Sequence, residues 1–447
     1  MKKIELYLGV GVMLVALSLT SCRKEPLENK GNPHHRVCKT YSQQFEAVWA
    51  GMDQGYLFWD RDTVDWDERY EKYKPIFAEF DARPANKPVT IYEYNDAYIG
   101  LFEGLLDHHL YGRFYTPKGI PHGYCEATVR PGENDYRHST EADVERENQL
   151  KVLRKKAIPG TLLEYNPNGT YDIPGSYFCL IKGANDGELI AYFRFTGFQM
   201  VQMHQLYEYA SNVVPDAVRA QAPAKAFYGP RYHEGISMEG AGYANNDSVV
   251  GIIIDLRGNG GGSLADLAPL IGSLAQTPTL VGYTRVKEGY GRLDYSAWSE
   301  SWVDCPKNMH LKKAKPIVVL ADIHSASCAE LSTMLIKALP NGTFIGERTY
   351  GAIGGLYSGN ATNIYHDLFY SGCFGDNEYY ENGPDPYKNI FSFYVYTSTF
   401  HMVDSDHGDV EGIGVQPDIE IRYNKHLLES GTDNQLDRAI RFLRVGH

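Results

Sequence analysis

Residues 248–257 read SVVGIIIDLR and run directly into GNGGGS at 258–263. A continuous Val/Ile run without polar alternation, closed by glycines, predicts a strand buried on both faces. Two other stretches share that form: KPIVVLAD at 315–322, which passes into IHSASCAE and a helical pattern, and GTFIGE at 342–347. Apolar strands alternating with helices predict an α/β core containing a parallel sheet. In such sheets ligands bind off the carboxyl ends of the strands. Both unusual loops, one of glycines and one of small serine-rich residues, belong at those ends.

Working outward, residues 42–109 are helical in pattern. Phe45, Val48, Trp49 and Met52 fall at i, i+3, i+4 and i+7; Asp65 with Glu68 caps a second helix, and Thr90 with Glu93 forms a capping box for a third. Tyr94, Tyr98, Leu101, Phe102 and Leu105 make one apolar face of that third helix, whose end delivers DHHL, 107–110. Residues 111–155 read as loop plus a surface helix, and short strands follow over 161–195 between the turn sequences NPNG and GANDG. An amphipathic helix is expected from 198, a long insertion or outer sheet over 356–400, and a tail helix over 432–445. The expected domains are a leader at 1–22, a tether at 23–40, a helical domain at 41–112, a connecting segment with the first strands at 113–185, and a core at 186–447.

The leader has two lysines, an apolar stretch and then Leu19-Thr20-Ser21-Cys22, which resembles a bacterial lipobox; an ordinary signal peptide is the alternative. The apolar stretch is shorter than the roughly 20 residues that a membrane span needs. Lipidation of Cys22 would tether the body to a membrane of the cell envelope, on its periplasmic or its surface face. Six further cysteines, Cys38, Cys125, Cys179, Cys305, Cys328 and Cys373, are spaced too widely for a zinc motif, and their pairing is open. A net charge of -13 over 447 residues, without clustered Lys and Arg in the body, argues against a nucleic-acid partner.

The glycine loop lacks the third glycine and the later acidic residue of a dinucleotide fingerprint, and it lacks the G-K-[ST] of a P-loop. Two uses are left: a tight turn, or bare N–H groups aimed at an oxyanion that forms during reaction. Ser327 at a helix start reads as a cap or as a nucleophile, and its place at a strand's carboxyl end beside the glycine loop favours the second. No G-x-S-x-G elbow is present. The loop DSDHGD, 404–409, reads as a solvated loop, and neither a cofactor nor a metal is expected.

Four blocks in order, IIIDLRGNGGG, SASCAE, GTFIGERTYG and EGIGVQPDIEI, resemble those of the tail-specific, or C-terminal processing, serine proteases and the tricorn core. The resemblance spans roughly residues 186–422. It implies a ββα core of the ClpP/crotonase type with an N-terminal helical domain, and Ser327 as nucleophile with Ser325, Glu330 and Thr349 in support. Backbone N–H groups of Cys328 and Gly261 would receive the oxyanion. The lysine that such enzymes use is replaced by Ala352; no lysine lies between Lys337 and Lys388, and Lys337 is about 15 Å along the helix from Ser327. The tricorn branch supplies a histidine instead, which places His109 as base and Glu411 as its orienting partner; His108 stands where that branch has glycine, and either imidazole can face the site. A PDZ module is not recognisable in 113–185, so recognition of free C-termini is not inherited. The function so implied is a lipid-anchored serine endopeptidase acting on polypeptides through an acyl-enzyme. The alternatives are an inactive binding protein on the same fold and a surface lipoprotein that captures peptides or glycans for import.

Overall fold

The computed structural model describes residues 38–117, 126–129, 139–165, 175–198, 246–264, 267, 272–289, 291–303, 311, 313–355, 373–375 and 391–446. The leader with Cys22, most of the tether, the helix expected from 198 and most of the 356–400 insertion lie outside them. Among the described residues no helix is long and apolar enough to cross a membrane.

Three capped helices open the described chain: α1 (Tyr41–Gly55), α2 (Trp66–Ala82) and α3 (Ile91–Phe102). The caps are those the sequence predicts, with Asp65 accepting from the N–H groups of Asp67 and Glu68 and a reciprocal Thr90–Glu93 box. Phe45, Trp66, Phe77, Tyr94 and Tyr98 fill the space between the helices. Truncating one of these, such as Trp66→Ala, removes about 3–5 kcal/mol.

The chain then turns into β1 (Tyr111–Tyr115), where the sequence reads as loop. β1 pairs antiparallel with β2 (Glu126–Val129) and with a strand some 280 residues away. A five-residue strand completed by so distant a partner has too little local period to be seen. The Phe114 ring stacks on Tyr98 with centroids 3.8 Å apart, joining this sheet to the helices.

After α4 (Ser139–Lys156) come β3 (Leu163–Tyr165), β4 (Ser176–Lys182), β5 (Leu189–Phe195), β6 (Val249–Asp255), β7 (Thr279–Arg285), β8 (Ser299–Val303) and β9 (Ile317–Ala321). α5 (Cys328–Ala338), β10 (Gly342–Gly346), β11 (Cys373–Gly375), β12 (Ser392–Tyr396), β13 (His401–Asp404), β14 (Ile419–Glu420), α6 (Lys425–Glu429) and α7 (Asn434–Val445) complete the order.

The central sheet has the order β14-β10-β9-β6-β5-β4-β3. It is parallel from β14 through β5 and antiparallel at β4 and β3. Ile252 and Ile254 face a core shared with α5, whereas Ile253 faces a second core shared with α4 and α7. Both faces of β6 are covered, which is why its sequence is apolar at successive positions. Two smaller sheets flank this body, β11-β12-β1-β2 and β13-β7-β8; the second was not legible in the sequence. Cys38, Cys179 and Cys328 are buried.

Candidate active site

The glycine loop leaves the end of β6 and the serine block leaves the end of β9, one strand over. Several hydrogen bonds tie them together. Asp322 Oδ1 accepts the Gly258 N–H at 3.0 Å, Asn259 O accepts the Ala326 N–H at 3.0 Å, and Ser325 Oγ donates to Leu256 O at 2.8 Å. Ser325 thus ties the two loops together at this corner.

Ser327 is the residue immediately before α5, with φ 55° and ψ −119°. Among the described residues only His407 is another non-glycine with positive φ. A backbone held there costs of order 1–3 kcal/mol and persists only when the surroundings impose it. Nucleophile elbows have the same sharp strand-to-helix character, here without their flanking glycines. The Ser327 hydroxyl makes no cap hydrogen bond, because the Glu330 N–H goes to the Ser327 carbonyl at 2.9 Å. Its side chain is half-buried at the mouth of the corner.

Gly261 packs against this corner. Its φ is +96°, and a Cβ there would stand 2.6 Å from Ser327 Cβ and 2.9 Å from Cys328 N, so only glycine fits. Gly261 and Cys328 thus lie on either side of Ser327. The Gly261 N–H donates to Asn259 Oδ1 at 2.8 Å, however, and the Asn259 amide in turn donates to Phe195 O at 2.9 Å. Asn259, buried in the glycine loop, had no role in the sequence reading.

Two buried carboxylates hold the segment 349–354. Glu330 accepts from Thr349 Oγ1 (2.5 Å), Gly351 N (2.7 Å), Ala352 N (2.7 Å) and Ser327 N (3.2 Å). Burial pushes its carboxyl up to about 7, against those donors. Glu411 accepts from Ile353 N at 2.9 Å, Gly354 N at 2.8 Å and His108 N at 3.1 Å. Burial, then the charge of Asp107, raises its carboxyl well above the usual range. Ala352, at the lysine position, is buried beside Ala326 and Tyr350, and its carbonyl accepts the Ser327 N–H at 2.9 Å.

The two histidines at the end of the helical region meet this network. The His108 ring packs on Tyr350, with its Nδ1 3.3 Å from Tyr350 O. His109 has a buried Nδ1 without a hydrogen-bond partner. One of its ring nitrogens, an Asp107 oxygen and a Glu411 oxygen lie within 4.8 Å of one another. Burial, and secondarily His108, push the His109 imidazole down to about 4, which keeps it neutral near pH 7, with its proton-accepting lone pair free, though a weaker base than an exposed imidazole. Asp107 is fixed by Ser398 N (2.8 Å), Ser398 Oγ (2.9 Å) and His109 N (2.9 Å), and burial pushes its carboxyl up to about 6. Asp107 and Ser398 were unassigned by the sequence; an acidic residue two before the histidine was the available signal.

Residues 239–421 match the family model of peptidase family S41. That stretch, somewhat under half of the chain, is similar to peptidase family S41. A 201-residue stretch is 26% identical to the tricorn protease of Thermoplasma acidophilum, covering 44% of this chain and 14% of that protein. Another of 126 residues is 31% identical to the nisin-resistance protein of Lactococcus lactis, covering 26% of this chain and 38% of that one. The chain thus spans well under half the length of these curated relatives. Among solved structures, a provisionally assigned peptidase from Parabacteroides merdae superposes with a TM-score of 0.56 at 18% identity, covering 91% of this chain and 98% of its own. Mature CPAF complexed with lactacystin superposes with a TM-score of 0.52 at 12% identity, covering 91% and 99%. Both share the fold of this chain.

Proposed function

We propose that this chain is a serine endopeptidase of the C-terminal processing type, tethered to a cell-envelope membrane through lipidated Cys22, with Ser327 as nucleophile, His109 as base and Glu411 as its orienting partner. The observation that carries the reading is the strained, half-buried Ser327 between Gly261 and the start of α5. The first N–H groups of a helix favour developing negative charge, which makes this corner suited to a tetrahedral oxyanion.

In the reaction so proposed, neutral His109 takes the Ser327 hydroxyl proton as Oγ attacks the peptide carbonyl. Negative charge collects on the carbonyl oxygen beside the Cys328 N–H, and Gly261 adds a second donor when its N–H leaves Asn259. The intermediate collapses, the amine departs with the proton held by His109, and an acyl-serine is left. Water, deprotonated by the same imidazole, then releases the acid. The Glu411 carboxylate stabilises the imidazolium that forms twice in the cycle.

Hydrolysis of a fluorogenic peptide library tests this. Ser327→Ala, His109→Ala and Glu411→Ala each abolish turnover with an unchanged circular dichroism spectrum, whereas His108→Ala retains it. Full turnover in the Ser327 variant removes the site from consideration. A second reading, an inactive binding protein, is favoured by Ala352 at the lysine position and by the Gly261 N–H being held by Asn259. Specific, saturable peptide binding without any hydrolysis would select it.

A further inference from the structure

Asp107, His109 and Glu411 share one buried corner without a neutralising cation. Among the described residues, no lysine or arginine pairs with either carboxylate, and an oxygen of each lies within 4.8 Å of the other and of a His109 nitrogen. The imidazole itself is unsatisfied at Nδ1. Two carboxyls crowded together and an orphaned ring nitrogen, all desolvated, constitute an arrangement that a further occupant would satisfy. The carboxylates are also fixed in advance. Asp107 is gripped by Ser398 and by the His109 backbone, and Glu411 by three backbone N–H groups, which leaves each carboxylate with unused acceptor capacity. Preset ligands of this kind are what a tight cation site requires.

We propose that these three side chains bind a divalent transition-metal ion, Zn2+ by their mixed nitrogen and oxygen character, and that the bound ion reversibly silences the peptidase. Zn2+ takes imidazole and carboxylate ligands at about 2.0–2.2 Å, so tetrahedral ligand atoms sit roughly 3.4 Å apart. Small rotations of side chains already within 4.8 Å of one another reach that spacing. Softer thiolate ligands are not involved, which sets the site apart from a cysteine zinc motif. A metal on His109 occupies the lone pair that would take the Ser327 proton. Silencing therefore rests on His109 being the base, whereas binding does not.

The test is a chelator-competition titration of the full chain with Zn2+, run beside a peptide-hydrolysis assay. The expected result is one tight equivalent that weakens at least about a hundredfold in His109→Ala and in Glu411→Gln, with hydrolysis inhibited at the same concentrations and restored by EDTA. As a readout that needs no variant to fold, Co2+ added to the native chain gives visible d–d bands without thiolate charge transfer. Absence of a tight equivalent, an equivalent that survives in both folded variants, or a thiolate spectrum overturns the proposal. Tight His109-dependent binding without inhibition retains the metal site and overturns silencing. Inactivity of the metal-free enzyme refutes the peptidase reading alone.

Discussion

Two buried acidic centres solve the same electrostatic problem in opposite ways. At the end of β6, Asp255 accepts from Arg257 Nη2 at 2.6 Å and Nε at 3.0 Å and from the Tyr192 hydroxyl at 2.7 Å, and Arg257 continues to Asp433 at 2.9 Å. Burial alone would push Asp255 up, but the charges of Arg257 and Arg194 overcome it and hold the carboxyl at about 2. At the end of the helical region, Asp107 and Glu411 face each other with donors but without a cation, and burial leaves both raised. The first centre is closed: its charges are matched, and it pins the C-terminal helix to the root of the glycine loop. The second is open: among the described residues no cation meets its raised carboxyls, and the His109 Nδ1 beside them has no hydrogen-bond partner. Matched ions serve the scaffold; unmatched ones are available for chemistry or for a ligand.

The largest effect expected from breaking this contrast is in catalysis. Glu411→Gln keeps the shape of the open centre but removes its charge, and kcat for peptide hydrolysis falls on the order of 10²–10⁴-fold, as for other orienting carboxylates. The equivalent change at the closed centre, Asp255→Asn, acts on stability instead. It leaves two buried arginines undercompensated and lowers unfolding free energy by about 3–5 kcal/mol in urea titrations. A loss of activity at full stability in Asp255→Asn would erase the distinction between the centres.

Acidity sharpens it further. Asp255 ionises in the fold well below its ordinary 3.8, so its contribution is full above about 3.8 and is lost as pH falls toward 2. Asp107 and Glu330 are raised to about 6 and about 7, so the fold binds their protons more tightly than the unfolded chain does, and their contribution falls as pH rises from about 4 through those values. Denaturation followed from pH 2 to 8 should therefore lose the acid limb in Asp255→Asn and flatten between about 4 and 6 in Asp107→Asn. An unchanged pH profile in both would refute the assigned charge states. The smallest change is at Thr349, whose hydroxyl donates to Glu330 and accepts the Val415 N–H at 2.7 Å. Thr349→Val leaves that buried N–H without its acceptor at a cost of about 1–3 kcal/mol, read as a shift in the urea midpoint.

How much of this was legible in the sequence follows the range of the interactions. β6, β9 and β10 announce themselves because each buries both faces within a few residues, and the capping boxes of the helices are equally local. The placement of Gly261 beside Ser327 also followed from motif order. β1 was hidden because its partner β12 lies far along the chain, and β13 was hidden because its partner β7 does too. The strain at Ser327 carries no sequence mark in the absence of flanking glycines; its N–H is held by Ala352 O from another segment and by Glu330 three residues on. Asp107 was visible as a letter but not as a partner of Ser398, 291 residues away.

The direct test of Ser327 as a nucleophile is covalent labelling of the native chain with a fluorophosphonate, read by peptide mass spectrometry. The account predicts a single adduct on Ser327, absent in Ser327→Ala and strongly slowed in His109→Ala. A folded wild-type chain that stays unlabelled, or an adduct that persists in Ser327→Ala, contradicts it.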